Sequence, residues 1–85
     1  MTVYLVDESS FELAKSFASK DSDAHLVLLE DAVYHATTER DGKLYAITDD
    51  VERRGLISKL QPNIVLISYD QMVDMMEKER VVNLL

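Results

Sequence analysis

Four apolar, β-branched runs punctuate the chain. They are TVYLV (Thr2–Val6), HLVLLE (residues 25–30), KLYAIT (43–48) and NIVLIS (63–68). The stretches 26–29 and 64–67 are continuously apolar rather than alternating. That is the pattern of strands covered on both faces, as in parallel sheets. A dozen residues or more separate successive runs, enough for the helical crossover that parallel pairing demands. Each connection carries a helical signature. Ser9 and Glu12 have the spacing of a capping box, with Phe11, Ala14, Phe17 and Ala18 on one face behind it. Asp31 is placed to cap a short helix whose Val33 and Ala36 point inward. Ser68 and Gln71 form a second capping-box pattern, opening a helix with Tyr69, Met72, Val73 and Met76 on one stripe. Met75 falls off that stripe, as an exposed contact residue. Asp41-Gly42 and Gln61-Pro62-Asn63 read as turns.

The pattern predicts β-α-β-α-β-α-β-α with a short fifth strand at residues 81–85. The expected fold is α/β, a three-layer α/β/α sandwich with a mainly parallel sheet of four to five strands. Length and the absence of a linker or repeat make residues 1–85 a single domain. A domain this small is marginal alone and gains by association.

The stretch DDVERRGL (49–56) raises the sharpest question. As a helix it is well made. Asp49 at the N-cap has Glu52 three residues on. Asp49–Arg53 and Asp50–Arg54 are acid-to-base pairs at i,i+4, worth about 0.3–0.5 kcal/mol each. Gly55 suits the left-handed position after a helix, with Leu56 as the apolar contact. The structural reading therefore outweighs a catalytic one.

Charge and composition narrow the function. The net charge of −7 argues against direct nucleic-acid binding, which needs a positive footprint, and against an anionic membrane surface. No apolar run approaches the roughly 20 residues of a membrane span, and the N-terminus has no secretory pattern. The cytoplasm is the default compartment. The chain contains no cysteine, so it offers no thiolate ligand, nucleophile or persulfide. With two glycines it has no phosphate-cradling loop.

Acids at predicted strand ends are the best chemical candidates. Asp7, Glu8, Glu30, Asp31, Asp49 and Asp50 all fall at the edge where open α/β sheets bind ligands. A metal-binding reading would place Mg²⁺ near Asp7, Glu30 and Asp49. The competing reading, helix caps, is the stronger. His25 and His35 are too distant in sequence to suggest a metal pair. Tyr34 and His35, beside acids, have acid–base chemistry available, but an interface suits them better. No catalytic set, cofactor site or metal site is expected.

Several stretches together resemble the DsrH/TusB family of sulfur-relay proteins, within the DsrE/DsrF/DsrH superfamily. They are LLEDAV, KLYAITDDVERRGL and NIVLISYDQMVDMM, followed by a β-prone tail. The resemblance runs from about Leu26 to Val82. It implies a subunit of a small cytoplasmic complex with DsrE/TusD-like and DsrF/TusC-like paralogues. Such complexes pass persulfide sulfur toward 2-thiolation of tRNA wobble uridine, or serve intracellular sulfur oxidation. The relay cysteine sits mainly on the DsrE/TusD-like partner. Some DsrH members carry one near the first helix, where this chain reads SSFELAKSFASK. The expectation is a non-catalytic subunit. The alternative is a homo-oligomer of the same fold without a sulfur role. The candidate interface or family-motif residues are Glu30, Asp31, Val33, Tyr34, His35, Asp50, Arg54, Gly55 and Met75.

Overall fold

The computed structural model describes residues 1–40 and 42–85. Its strands are β1 (Thr2–Val6), β2 (Ala24–Leu28), β3 (Leu44–Ile47), β4 (Ile64–Ile67) and β5 (Arg80–Asn83). Its α-helices are α1 (Phe11–Ala18), α2 (Thr48–Arg53) and α3 (Tyr69–Lys78), with 3-10 turns at Glu8–Ser10, Glu30–Thr37 and Ile57–Lys59. All five strands lie in one sheet in the order β4-β3-β2-β1-β5, every neighbouring pair parallel. The expected α/β/α sandwich is what forms.

Alternation along the strands sorts the core into two faces. Tyr4, Val6, Leu26, Leu28, Leu44 and Ala46 face α1, the Glu30–Thr37 segment and α2. Val3, Leu5, Val27, Leu29, Ile47 and Ile67 face α3. The chain winds from β1 to β4 with every connection on the first face. It then crosses the second face once, through α3, to reach β5 beside β1. One short helix thus covers a face that three segments cover on the other side.

Local signals explain most boundaries. Gly55 adopts φ +67. Its N–H donates to Glu52 O at 3.0 Å, and Leu56 N–H donates to Val51 O at 3.1 Å. This is the paired bonding of a Schellman cap, with Leu56 buried behind it. The Ser68–Gln71 capping box is present in both directions. Ile64 N–H bonds Gln61 O at 3.1 Å, closing the predicted turn. Gly42 has φ +84; its predicted partner in a turn, Asp41, lies outside the described residues.

Four local expectations are corrected. The first cap is Asp7 with Ser10, not Ser9 with Glu12. Asp7 Oδ1 accepts from Ser10 N–H at 3.1 Å and from both serine hydroxyls, and these bonds hold its carboxyl below the usual range. Asp31 caps nothing; the segment it was to open is a 3-10 helix starting at Glu30, without a side-chain cap. Asp49 is not an N-cap either, because α2 starts directly at Thr48. Thr48 Oγ1 instead donates to Ile67 O at 3.1 Å, tying α2 to the end of β4. On α3, Met72 and Met75 pack against the sheet while Val73 and Met76 are exposed. The helix is rotated from the predicted stripe, so Met75 supports the core.

Candidate functional site

The polar centre of the molecule lies at the C-terminal edge of β2, β3 and β4, and Asp50 is its hub. This carboxylate is fully buried. It sits in the first turn of α2, which follows β3 without a loop, so its side chain enters the space between three strand ends. Oδ2 accepts from the Glu30 N–H at 2.8 Å and from the Tyr69 hydroxyl at 2.9 Å. Oδ1 accepts from Arg53 Nη1 at 3.3 Å. One side chain therefore joins the turn after β2, the helix after β3 and the helix after β4. A buried charge requires such partners.

The turn after β2 shows what this arrangement costs. Glu30 has φ +50 and is the one non-glycine residue with positive φ among the described residues. That region costs a side-chain-bearing residue about 1–2 kcal/mol. A hydrogen bond to a charged acceptor is worth about 1.5–3 kcal/mol, which offsets the strain. The Asp50 carboxylate holds Glu30 in this conformation.

Arg54 closes the outer side. Its Nε and Nη2 contact Asp31 Oδ1 at 3.0 and 2.9 Å, and Nη2 lies 3.4 Å from Glu30 Oε2. Its Nη1 donates to the Asp50 backbone carbonyl at 3.2 Å. The bond to Asp31 is the main cause of the raised guanidinium pKa. Glu30, Asp31, Asp50 and Arg54 are thus brought together, while Gly55 serves only as the helix cap beside them. The expected Asp50–Arg54 pair is present at 3.8 Å as part of this network. Asp49–Arg53 gives way to Arg53 contacting Asp50 and, at 3.9 Å, Glu30.

The remaining candidates lie elsewhere. Val33 is fully buried and belongs to the core. Tyr34 is exposed. His35 stacks face to face on Phe11 at 3.6 Å, with an interplanar angle of 5°. Its Nε2 is 2.8 Å from Glu8 Oε2, within ion-pair distance but without hydrogen-bond alignment, and that nitrogen has no hydrogen-bond partner. His25 is paired with Tyr45 instead, Nδ1 to hydroxyl 3.2 Å; burial is the main cause of its lowered pKa, followed by Lys43. Two of the three acids weighed as a metal site are engaged by other partners. Asp7 caps its own turn and Glu30 faces arginines. No group of three His, Cys, Asp or Glu suited to a metal exists among the described residues.

Sequence reasoning missed the role of Tyr69. It assigned the ring to a core stripe, where the ring does pack, but overlooked the hydroxyl. A tyrosine at the start of a helix that leaves a buried strand is the available signal, because a half-buried phenol needs a polar partner. Burial, and then the bond to Asp50, push the Tyr69 phenol up to about 12. Since the folded value exceeds the ordinary one of ~10, stability from the neutral phenol is complete below pH ~10 and falls as pH rises toward 12. An ultraviolet phenolate titration of the four tyrosines is expected to show one late step, absent in Tyr69→Phe. A single step with all phenols near 10 would contradict this environment.

The network presents Glu30 and Arg53 at its exposed rim. A depression of about 420 Å³ lies away from it, near the N-terminal edge, between α1 and the starts of β2 and β3. Ala18, Ala24, Leu26 and Leu44 contribute to its lining, with Lys15 and Lys43 among the polar residues. Lys15 pairs with Glu39 at 2.8 Å.

A parallel five-stranded α/β sandwich, with an ionic knot at the strand ends, defines a small open-sheet domain. Residues 7–82 match the family model for DsrH-like proteins, and the chain belongs to that family. Its fold resembles the crystal structure of the YchN protein from E. coli, with a TM-score of 0.75 at 13% identity, covering 96% of this chain and 97% of that one. It also resembles the solution structure of protein Tm0979 from Thermotoga maritima. There the TM-score is 0.69 at 27% identity, covering 93% of this chain and 94% of the other. No curated protein matches the sequence. Among the described residues no helix is long and apolar enough to cross a membrane.

Proposed function

We propose that this chain is a non-catalytic subunit of a cytoplasmic sulfur-relay complex. It docks on DsrE/TusD-like and DsrF/TusC-like paralogues that carry the persulfide. The sulfur serves tRNA wobble-uridine 2-thiolation or intracellular sulfur oxidation. Family membership and the absence of cysteine support the assignment, since a relay subunit without a thiol acts through its contacts. It makes no direct nucleic-acid contact, in keeping with its net charge of −7.

The observation that carries the docking role is α3. This helix alone covers its face of the sheet, yet none of its residues is buried. Val73 is 45% exposed and Met76 37%. An apolar, methionine-bearing helix left this open suits an adaptable protein contact. Asp70, Asp74 and Glu77 stand exposed along it, so a paralogue with basic groups around an apolar centre complements it.

Affinity purification of the tagged chain from its native cells, with mass spectrometry, tests this. Cysteine-bearing DsrE/DsrF-like chains are expected in stoichiometric amounts. The double variant Val73→Glu/Met76→Glu is expected to recover at least about tenfold less, an order of loss typical of central interface changes. Recovery of the chain alone would remove the relay reading and leave the homo-oligomer.

A further inference from the structure

Among the described residues, three buried side-chain polar atoms lack a hydrogen-bond partner. One is His35 Nε2, which has Glu8 beside it. The other two are Nδ2 and Oδ1 of Asn63, the two ends of one amide. A buried amide without partners costs free energy, so its position calls for a reason. Turn formation does not supply it. An asparagine that builds a turn bonds the nearby backbone with its side chain, and Asn63 makes no such bond. Other groups hold the turn. Gln61 N–H donates to Ala36 O at 2.9 Å, Gln61 Nε2 donates to Thr37 O at 2.7 Å, and Ile64 N–H donates to Gln61 O at 3.1 Å. Pro62 fixes the backbone between them. The amide is therefore held at a rigid place and left unused.

Asn63 borders a depression of about 390 Å³ that it shares with Arg40, Gln61 and Pro62. Arg40 is exposed and makes no ion pair with the described residues. Its neighbour Glu39 is turned to Lys15, at 2.8 Å. The site thus combines a guanidinium fork, an amide donor and an amide acceptor. The fork matches a carboxylate, which it binds through two parallel hydrogen bonds. The amide acceptor requires an N–H next to that carboxylate. Inorganic anions have none, and a free amino acid brings a second positive charge toward Arg40. The last residue of a peptide has both groups. In an extended backbone its N–H and its carboxylate lie on the same side.

We propose that this depression binds the free C-terminus of a peptide. Arg40 pairs with the terminal carboxylate. Asn63 Oδ1 accepts from the last N–H, and Nδ2 donates to a carboxylate oxygen. Asn63 is part-exposed as a residue, so rotation about its side-chain bonds brings the amide to the depression. The rotation exchanges an unpaired amide for a paired one and so favours the bound state. The turn is already formed, which keeps the ordering cost of binding low. Capture of a chain end by a few polar groups is a recurrent mode of peptide recognition. The only charged side chain of the lining is a base, which draws an anion locally even on a chain of net charge −7. The site shares no residue with α3 or the Asp50 network, and it does not rest on the sulfur-relay reading.

The test titrates the purified, isotope-labelled full chain with N-acetyl-dialanine bearing a free carboxylate, followed by NMR. The titration runs to about 10 mM, enough to approach saturation of a site with a millimolar Kd. The side-chain amide signals of Asn63 and the Nε–H signal of Arg40 are expected to move and level off. The same peptide ending in a carboxamide is expected to bind at least about tenfold more weakly, the scale of one charge-assisted hydrogen bond. Arg40→Gln and Asn63→Leu are each expected to weaken the free acid by a similar factor, with circular dichroism unchanged. Equal binding of acid and carboxamide would overturn the proposal, as would the absence of any saturable movement. Acetate or inorganic phosphate acting as strongly as the peptide would overturn it too, by marking a spot that attracts anions only. If a variant unfolds, the comparison of acid with carboxamide on the unaltered chain still decides. Failure to recover relay paralogues from cells would leave these readouts untouched.

Discussion

Asp50→Ala is expected to cost about 3–5 kcal/mol of stability, the scale for breaking a buried, hydrogen-bonded charge group. In a domain this small that lowers the melting midpoint by roughly 15 °C or more. The reason is the number of elements released at once. The Glu30 N–H and the Tyr69 hydroxyl lose their acceptor, and the arginines lose a counter-charge. Glu30 then has no compensation for its positive φ. Asp50→Asn retains one carbonyl acceptor and is expected to cost roughly half as much. Denaturant unfolding with Tyr69→Phe and the double variant gives the coupling. A coupling of about 1 kcal/mol or more is expected for groups in direct contact. A loss under about 1 kcal/mol for Asp50→Ala would show that the strand ends hold together without the hub.

The second large effect is expected at Phe11. Phe11→Ala should cost about 3–5 kcal/mol, the range for removing a buried aromatic ring. Phe11 is the first residue of α1 and the largest of the fully buried side chains. It packs into the cluster built on Tyr4, Val6, Leu26 and Leu28, and stacks on His35. The Glu30–Thr37 segment is a 3-10 helix, with poorer hydrogen-bond geometry than an α-helix. Its position therefore depends on packing, and Phe11 is a principal contact. Leu13, two residues on, is half-exposed and serves as the control: Leu13→Ala should cost well under half as much. Equal losses at the two positions would mean that α1 does not pack as described.

Both effects reach beyond stability. The hub and Phe11 both hold the Glu30–Thr37 segment on the first face, and Tyr69 connects that hub to α3. Loss of Asp50 therefore unsettles the start of the helix on which docking is proposed. A partner-binding defect in Asp50→Asn, with the fold retained, is the expected functional trace of this link.

Much of the architecture was legible because it rests on local rules. Strands buried on both faces must be continuously apolar, and 26–29 is; 64–67 carries the same pattern but lies at the sheet edge, where Val65 and Leu66 are exposed. A helix end at Gly55 needs only that glycine tolerates positive φ. The Ser68–Gln71 box is complete within four residues, so nothing distant could displace it. Where two local solutions compete, the sequence reading took the one that the structure rejects. Asp7-Ser10 and Ser9-Glu12 are overlapping capping patterns, and the end of β1 decides where the turn begins. The stripes 69/72/75 and 69/72/76 differ by a modest rotation of α3. The sheet, not the helix, settled which methionine it would cover.

The sequence by itself determined the α/β class, the parallel sheet, the positions of the strands and the absence of thiol chemistry. It did so because burial on two faces, crossover length and composition are properties of short segments or simple counts. Only the tertiary structure decided that Asp50 is the hub rather than one half of a surface pair. Its partners Glu30 and Tyr69 stand 20 and 19 residues away. The same structure decided that β4 is the uncovered edge, since strand order is a long-range choice. Local patterning states what a segment must bury. The packed sheet states against what, and which segment is left without a neighbour.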